Sequence, residues 1–200
     1  MRIEIDDHMN RCTAAEVERL LPLVPDWRRE QALRYKHLFG QYCCLRSWEM
    51  VENLSIQSRL ALDLLSTKSR LVRYNEHGKP FFEDGPFFSI SHCKEAIAVV
   101  VAEEPIGIDI ELIRKADDSL IERVMNESEK EQLSAVEGAQ KDRLFTRLWT
   151  QKEAVVKALG TGLQSFEQIQ GILDESRKNT LLQVESVEKE KYIYSIAYGK

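Results

Sequence analysis

Cysteine is scarce in this sequence and follows no pattern. Cys12, Cys43, Cys44 and Cys93 have neither the paired spacing of a zinc site nor the density of a disulfide scaffold, so they read as reduced thiols used as small apolar side chains. No apolar stretch approaches the ~20 residues that a membrane-spanning helix needs. Nothing near the N-terminus joins a basic stretch to an apolar run: Ile3 and Ile5 alternate with Glu4, Asp6 and Asp7, the pattern of a short strand. A soluble, cytoplasmic protein with no membrane partner is therefore expected. An excess of positive charge is missing too. With 28 Lys and Arg against 33 Asp and Glu, the net charge of -5 argues against nonspecific nucleic-acid binding by the molecule as a whole. There is no low-complexity segment, repeat array or Gly/Ser linker.

What is present suffices for a core, since 43% of the 200 residues are hydrophobic. Charge is unevenly spread. Arg28, Arg29, Arg34, Lys36 and Arg46 face only Glu30 within their stretch, and Lys68, Arg70, Arg73 and Lys79 face only Glu76 in the next. Two basic patches on an acidic protein could still bind a polyanion, although a solvated helix face of mixed charge accounts for any one of these residues alone.

The elements change character along the chain. Thr13 with Glu16 predicts a capped helix that Pro22 and Pro25 end, and a second helix starts near Asp26. Residues 40–52 and 55–65 also read as helical, with Leu60, Leu64 and Leu65 on one face and Gly40 as a possible break; this helical part ends near Ser66. From Leu71 the pattern becomes short β-type runs: 71–74, 80–82, 87–91, 96–101 and 106–112. Helices return around 118–125, after a capping box of Ser128 and Glu131, and from about Lys141 to Leu159, which Gly160 closes. Two or three strands finish the chain. Runs of helices beside runs of strands predict α+β architecture, and a boundary near Glu103-Glu104-Pro105 divides residues 1–104 from 105–200.

Chemistry concentrates in a few segments. In Gly107-Ile108-Asp109-Ile110-Glu111 two carboxylates share one strand face while Ile108 and Ile110 take the other, an arrangement that could grip a hard cation together with a phosphorylated ligand. Alternating acids on a half-exposed strand are also common without function. In Trp149-Thr150-Gln151-Lys152-Glu153-Ala154, followed by Lys157, residues 149, 153 and 157 form one helical stripe, with Leu144, Leu148, Val155 and Leu159 as the apolar face. An i,i+4 Glu-Lys pair is usually a surface contact worth about 0.2 to 0.5 kcal/mol. Phe88-Ser89-Ile90-Ser91-His92 ends a strand, and a Ser-His pair there can donate to a phosphate; without a nucleophile elbow it does not read as a hydrolase triad. Gly78-Lys79-Pro80 adds a cation at a turn.

Taken in this order and spacing, these four segments resemble the Sfp-type 4'-phosphopantetheinyl transferase family over roughly residues 78–163. The resemblance implies two similar α+β lobes related by a pseudo-twofold axis, with coenzyme A bound between them. It implies that Asp109, Glu111 and Glu153 hold Mg2+ (or Mn2+) and that Glu153 and Lys157 act in catalysis. It places Lys79 and Pro80 beside the nucleotide, Ser91 and His92 at coenzyme A phosphates, and Lys152 and Lys157 at the diphosphate. Arg34, Lys36 and Arg46 are further candidates for phosphate contacts. Two departures stand out: Cys93-Lys94-Glu95 follows His92 where many relatives carry small residues, and Ile110 occupies a position that is acidic in some relatives.

The implied reaction is Mg-dependent transfer of the 4'-phosphopantetheine moiety to a serine of an apo acyl or peptidyl carrier protein, releasing 3',5'-ADP, by a monomer. The Arg28–Arg46 stretch could form part of the docking surface for an acidic carrier. A noncatalytic coenzyme A or carrier-binding module of the same fold, a metal-dependent phosphohydrolase and a structural α+β protein are the competing expectations.

Overall fold

The computed structural model describes residues 1–56, 71–162, 166–178 and 182–199. The fold is α+β. It opens with β1 (Arg2–Asp6), α1 (Ala14–Leu20), α2 (Asp26–Leu33) and α3 (Leu38–Ile56). The strands β2 (Val72–Tyr74), β3 (Pro80–Phe82), β4 (Phe87–His92), β5 (Ile97–Ala102) and β6 (Ile106–Leu112) follow. The chain ends with α4 (Asp118–Val124), α5 (Glu127–Ser134), α6 (Gly138–Leu159), α7 (Phe166–Lys178), β7 (Leu182–Glu188) and β8 (Tyr192–Gly199).

Antiparallel pairing builds one three-stranded sheet in the order β1-β5-β4, another in the order β6-β8-β7, and the β2-β3 hairpin. The period of two along each strand sorts its residues between layers. Ile97, Val99 and Val101 of β5 join Trp48, Leu45 and Val51 of α3 in one core. Ala98 and Val100 take the other face and meet Ile106, Ile108 and Ile110 of β6 in a second. The opposite face of the β6 sheet packs beneath α6, whose Phe145, Leu148, Ala154 and Val155 lie in a third core. The order of layers is thus helix, sheet, sheet, helix, and the two sheets share a core of branched aliphatic side chains.

Local signals explain most boundaries. The Thr13 side chain accepts the Glu16 N–H and starts α1, Asp117 caps α4, and α6 stops at Gly160, whose φ of 71° is cheap for a residue without Cβ. Several expectations need correction. Gly40 does not divide α3, which runs unbroken from Leu38. The capping box lies two residues earlier than expected, at Asn126 and Glu129, because the Asn126 side chain accepts the Glu129 N–H and the Glu129 carboxylate accepts the Asn126 N–H. Helix α6 begins at Gly138 rather than Lys141, and Leu159 is half-exposed instead of packed. Helix α7, which the sequence reading did not single out, precedes the last two strands. Leu60, Leu64, Leu65 and the expected helix end near Ser66 lie outside the described residues. Among the described residues no helix is long and apolar enough to cross a membrane.

Two constraints hold this arrangement. The first is steric. A Cβ at Gly107 would lie 2.0 Å from the Ala154 carbonyl oxygen and 2.4 Å from the Ala158 nitrogen, so β6 and α6 touch backbone to backbone at that position. The second is electrostatic. Arg46 of α3 donates to Asp6 (2.6 Å) and Glu4 (2.9 Å) of β1 and to Glu49 (2.7 Å), pinning the helix to the edge strand. Burial alone would raise the Asp6 carboxyl, but the Arg46 guanidinium and the His8 backbone N–H outweigh it and hold its pKa below the ordinary value.

Gly107→Ala should cost at least about 2 kcal/mol of unfolding free energy, because the atoms in the way are helix backbone and cannot yield like a side chain; denaturant titration measures it. Asp6→Asn should cost about 2 kcal/mol at neutral pH. Since the folded pKa of Asp6 is depressed, its contribution is complete above the unfolded value of about 3.9 and fades as pH falls through the folded value. The stability gap between the parent and Asp6→Asn should therefore stay level down to about pH 5 and narrow in stronger acid, as unfolding curves recorded across that range would reveal.

Candidate functional site

The close approach at Gly107 sets the position of α6 over β6. Gly107, Asp109 and Glu111 occupy the β6 face turned to the helix, and Glu153 and Lys157 come down on it one turn apart. The Lys157 ammonium lies 2.7 Å from Asp109 Oδ1. Asp109 is 4% exposed, and its second oxygen, Oδ2, is buried without a hydrogen-bond partner. Burial and the Asp109 charge raise the pKa of Glu111, and the same two causes push Glu153 up to about 7 against the opposing pull of Lys157.

These acids share a field without forming a finished cage. Among the described residues no group of three or more His, Cys, Asp or Glu side chains stands close enough to hold a metal ion as placed. The donor set nonetheless fits a hard divalent cation. It supplies carboxylate oxygens alone, one of them buried and unpaired, and two further carboxyls whose charge the site disfavours without a counter-ion.

A cleft opens beside this cluster. One part, of about 290 Å³, is lined by His77, Gly78, Lys79, Pro80, Glu153 and Lys157. A second part, of about 340 Å³, shares Gly78, Pro80, Ile90 and Lys157 with the first and continues to Arg28, Tyr35, Tyr74, Ser91 and His92. The β2-β3 turn forms one wall by gripping the end of α6: Asn75 donates to the Gly160 carbonyl at 2.7 Å, and the Lys79 ammonium donates to the carbonyls of Lys157 and Ile106. Burial, aided by Lys157, lowers the Lys79 pKa to about 8. His92 stands at the end of β4 with its ring edge-on to Phe39; the surrounding protein and then the Lys157 charge hold its pKa below the ordinary value.

Most of the expected site residues meet here, but not all. Glu153, Lys157, Lys79, Pro80, Ser91 and His92 line the cleft, and Asp109 and Glu111 stand beside it, within the field of Lys157. Ser91 is engaged inside the protein, donating to Asp109 Oδ1 at 2.9 Å while accepting the Ile110 N–H at 3.3 Å. Arg34 and Lys36 are exposed on the turn between α2 and α3. Arg46 is committed to Asp6, Glu4 and Glu49, so its expected phosphate contact is not supported.

Lys152 is the clearest correction. It is fully buried on the far side of α6, where its ammonium meets Glu129 Oε2 at 2.8 Å and the carbonyls of Ile169 and Gln170 at 2.9 and 3.0 Å. A lysine one helical position from Glu153 points about 100° away from it, and here that direction leads into the core between α5 and α7.

Arg28 is the residue that sequence reasoning undervalued. In the sequence it is one of five cations in a basic stretch expected to form part of a carrier-docking surface, yet it is 8% exposed and lines the second part of the cleft. Its guanidinium donates to Cys44 O, Gln31 Oε1 and Ser47 Oγ, all neutral, and lies 5.5 Å from the Trp48 ring centre. Burial lowers its pKa, and no carboxylate among the described residues pairs with it. The signal available in the sequence was the flanking Trp27 and the helix start at Asp26, which place Arg28 in the first turn facing α3.

Lys152→Met should cost about 3–5 kcal/mol of stability by stranding the buried Glu129 carboxylate, while the affinity of the folded fraction for a nucleotide diphosphate should be unchanged. A calorimetric titration beside a thermal melt would separate the two effects.

The comparisons with known proteins accord with this geometry. The family model described as the 4'-phosphopantetheinyl transferase superfamily matches residues 105–198, which include β6 and α6. The chain is 30% identical over 161 residues to 4'-phosphopantetheinyl transferase gsp of Aneurinibacillus migulanus, covering 80% of this chain and 63% of that protein. It is 38% identical over 105 residues to HetI of Nostoc sp., covering 48% and 44%, and 39% identical over 92 residues to AcpT of Salmonella typhimurium, covering 44% and 48%. The matched segments thus span less than two thirds of the length of each of these relatives. Residues 105–198, the segment that the family model matches, belong to the 4'-phosphopantetheinyl transferase superfamily, and the similarity to a named member extends over 80% of the chain.

Proposed function

We propose that this chain transfers the 4'-phosphopantetheine moiety of coenzyme A to a serine of an apo acyl or peptidyl carrier protein and releases 3',5'-ADP. The observation that carries the reading is the meeting of Asp109, Glu111 and Glu153 with Lys157 at the edge of a cleft that continues to Lys79, Arg28 and His92. Carboxylates beside buried and half-buried cations suit a ligand that brings both a metal and phosphates.

Asp109, Glu111 and Glu153 would hold a divalent cation, Mg2+ or Mn2+. When bound, it would neutralise diphosphate charge and polarise the phosphorus under attack. The remaining work falls to the chain's own side chains. The carrier serine oxygen forms a bond to the pantetheine-side phosphorus while the bond from that phosphorus to the oxygen of the departing 3',5'-ADP breaks. Glu153 is placed to take the serine proton, and Lys157 to neutralise the oxygen that leaves. Lys79 and Pro80 form the nucleotide wall, and His92 with Arg28 presents cationic or donor groups at the far end of the cleft. Holding both substrates in line is the larger part of such catalysis. In this reading residues 1–104 and 105–200 are two lobes related by a pseudo-twofold axis, and one chain supplies both walls of the cleft, so a monomer is the working unit.

Incubation with coenzyme A, Mg2+ and an apo carrier protein should add the phosphopantetheine mass to the carrier. Released 3',5'-ADP without a modified carrier would instead indicate hydrolysis, and binding without turnover a noncatalytic module. Glu153→Gln should lower kcat at least about 100-fold, whereas His92→Ala should act chiefly by raising the KM for coenzyme A about 10-fold. Equal, mild effects from both would contradict the roles assigned.

A further inference from the structure

The seam between the two sheets is built from side chains. Strands β4 and β6 edge the β1-β5-β4 and β6-β8-β7 sheets, and no backbone ladder joins them among the described residues. Two serines on one face of β4 reach across instead: Ser89 Oγ accepts the Ile108 N–H at 3.1 Å and Ser91 Oγ accepts the Ile110 N–H at 3.3 Å. The two rungs advance together by two residues, so β4 and β6 run in the same direction. They differ in one respect. The Ser91 hydroxyl has a second bond, donating its proton to Asp109 Oδ1, while among the described residues no such contact ties Ser89 to a carboxylate.

We propose that Ser91 is a positioning residue that fixes Asp109 for cation binding through this bond, rather than a contact to a substrate phosphate; the proposal rests on the metal-dependent reading above. The geometry limits what the hydroxyl can do. Its proton goes to Asp109 and one lone pair takes the Ile110 N–H, which leaves no donor for an anion. Asp109 Oδ1 in turn receives Ser91 and Lys157 together, at 2.9 and 2.7 Å. With Oδ1 held from two sides, Oδ2 is the free oxygen of the pair, buried and unpaired. Because the Ser91 oxygen also binds the β6 backbone next to Asp109, carboxylate and strand are fixed as one unit. Partners of this kind set the orientation of a ligating carboxylate, and their loss typically weakens metal affinity about 10- to 100-fold.

The test uses the full chain without nucleotide. Mn2+ binding is measured directly, by calorimetry or by the loss of the free-ion electron paramagnetic resonance signal, and 3',5'-ADP binding is measured separately in the presence of EDTA. Ser91→Ala should weaken Mn2+ binding about 10-fold and leave metal-free 3',5'-ADP affinity unchanged, and Ser91→Thr should return Mn2+ affinity towards the parent value. Ser89→Ala removes the neighbouring rung, so it should lower the melting temperature while Mn2+ affinity holds. Unchanged Mn2+ affinity in Ser91→Ala, or a loss confined to 3',5'-ADP, would overturn the proposal and restore Ser91 as a phosphate contact. Equal weakening of Mn2+ by Ser89→Ala would also overturn it, reducing Ser91 to a seam residue. Failure of the parent protein to bind Mn2+ both alone and with 3',5'-ADP present would instead defeat the metal-dependent reading itself, and the proposal with it.

Discussion

Everything in the candidate site depends on how closely α6 lies against β6. A helix normally stands off a sheet by the depth of the side chains between them. At Gly107 there is no side chain, and the backbone of residues 154–158 fills the space that a Cβ would take. The short spacing brings Glu153 and Lys157, which would otherwise sit above the sheet on a cushion of apolar residues, down to the level of Asp109. The site therefore needs no long loop to deliver its charges. It uses the period of two in the strand and the period of 3.6 in the helix, brought into register by one missing methyl group. Farther along the same interface a chain of hydroxyls, Thr150 to Ser195 at 2.7 Å and Ser195 to Ser186 at 2.8 Å, with Gln151 donating to Ser186 at 2.9 Å, holds α6 to β8 and β7 and prevents the helix from sliding.

Against that framework the cations sort by whether a carboxylate meets them inside the fold. Arg46 and Lys152 are satisfied by Asp6, Glu4, Glu49 and Glu129, and their role is to bind elements together. Arg28 is buried and Lys79 half-buried, each against neutral acceptors among the described residues; burial lowers both pKa values, with the Lys157 charge adding to the effect at Lys79. A buried cation without an anion costs free energy in the empty protein, and an anionic ligand relieves that cost on binding. Both residues line the cleft, which makes the cleft the place where the fold lacks negative charge. At the other edge the balance reverses, since burial and the Asp109 charge raise Glu111 and Glu153 by more than the Lys157 charge offsets. A phosphorylated ligand with a divalent cation answers both shortages together.

The sequence made the site more legible than its surroundings. Asp109 and Glu111 could be set on one strand face, and Glu153 and Lys157 on one helix stripe, because each judgement needs only local periodicity. The fate of Lys152 was not legible in this way, for its partners come from α5 and from α7, a helix the sequence reading did not single out. The α5 cap shows the same limit on a smaller scale. Asn126-Glu129 and Ser128-Glu131 both fit the spacing of a capping box, and the earlier pair gains tertiary partners, Lys152 on Glu129 and Asp174 on the Asn126 amide. Arg46 reads as a candidate phosphate contact because two of its three acids, Glu4 and Asp6, lie 40 residues and more away on β1, although both fall in a recognisable strand; the third, Glu49, is its i+3 neighbour. For Lys152 and Arg46 the helical setting was right and a tertiary partner decided the side chain's use; for the α5 cap the start itself shifted by two residues.

The hairpin turn at Asn75 to Lys79 shows why structural and binding roles need not compete here. A helix C-terminus leaves carbonyls without donors, and α6 satisfies its own with Asn75 on Gly160 and Lys79 on Lys157. The cation also complements the negative end of the helix dipole. That capping draws the hairpin over the cleft and makes Gly78 and Pro80 part of its wall. Lys79 spends its protons on carbonyl oxygens yet keeps its charge uncompensated, since a carbonyl supplies a dipole and no net anion. It can therefore hold the wall in place and attract a phosphate through the same ammonium. Because its anchor is the Lys157 carbonyl, any shift of the hairpin is passed directly to the turn of α6 that carries Lys157 towards Asp109.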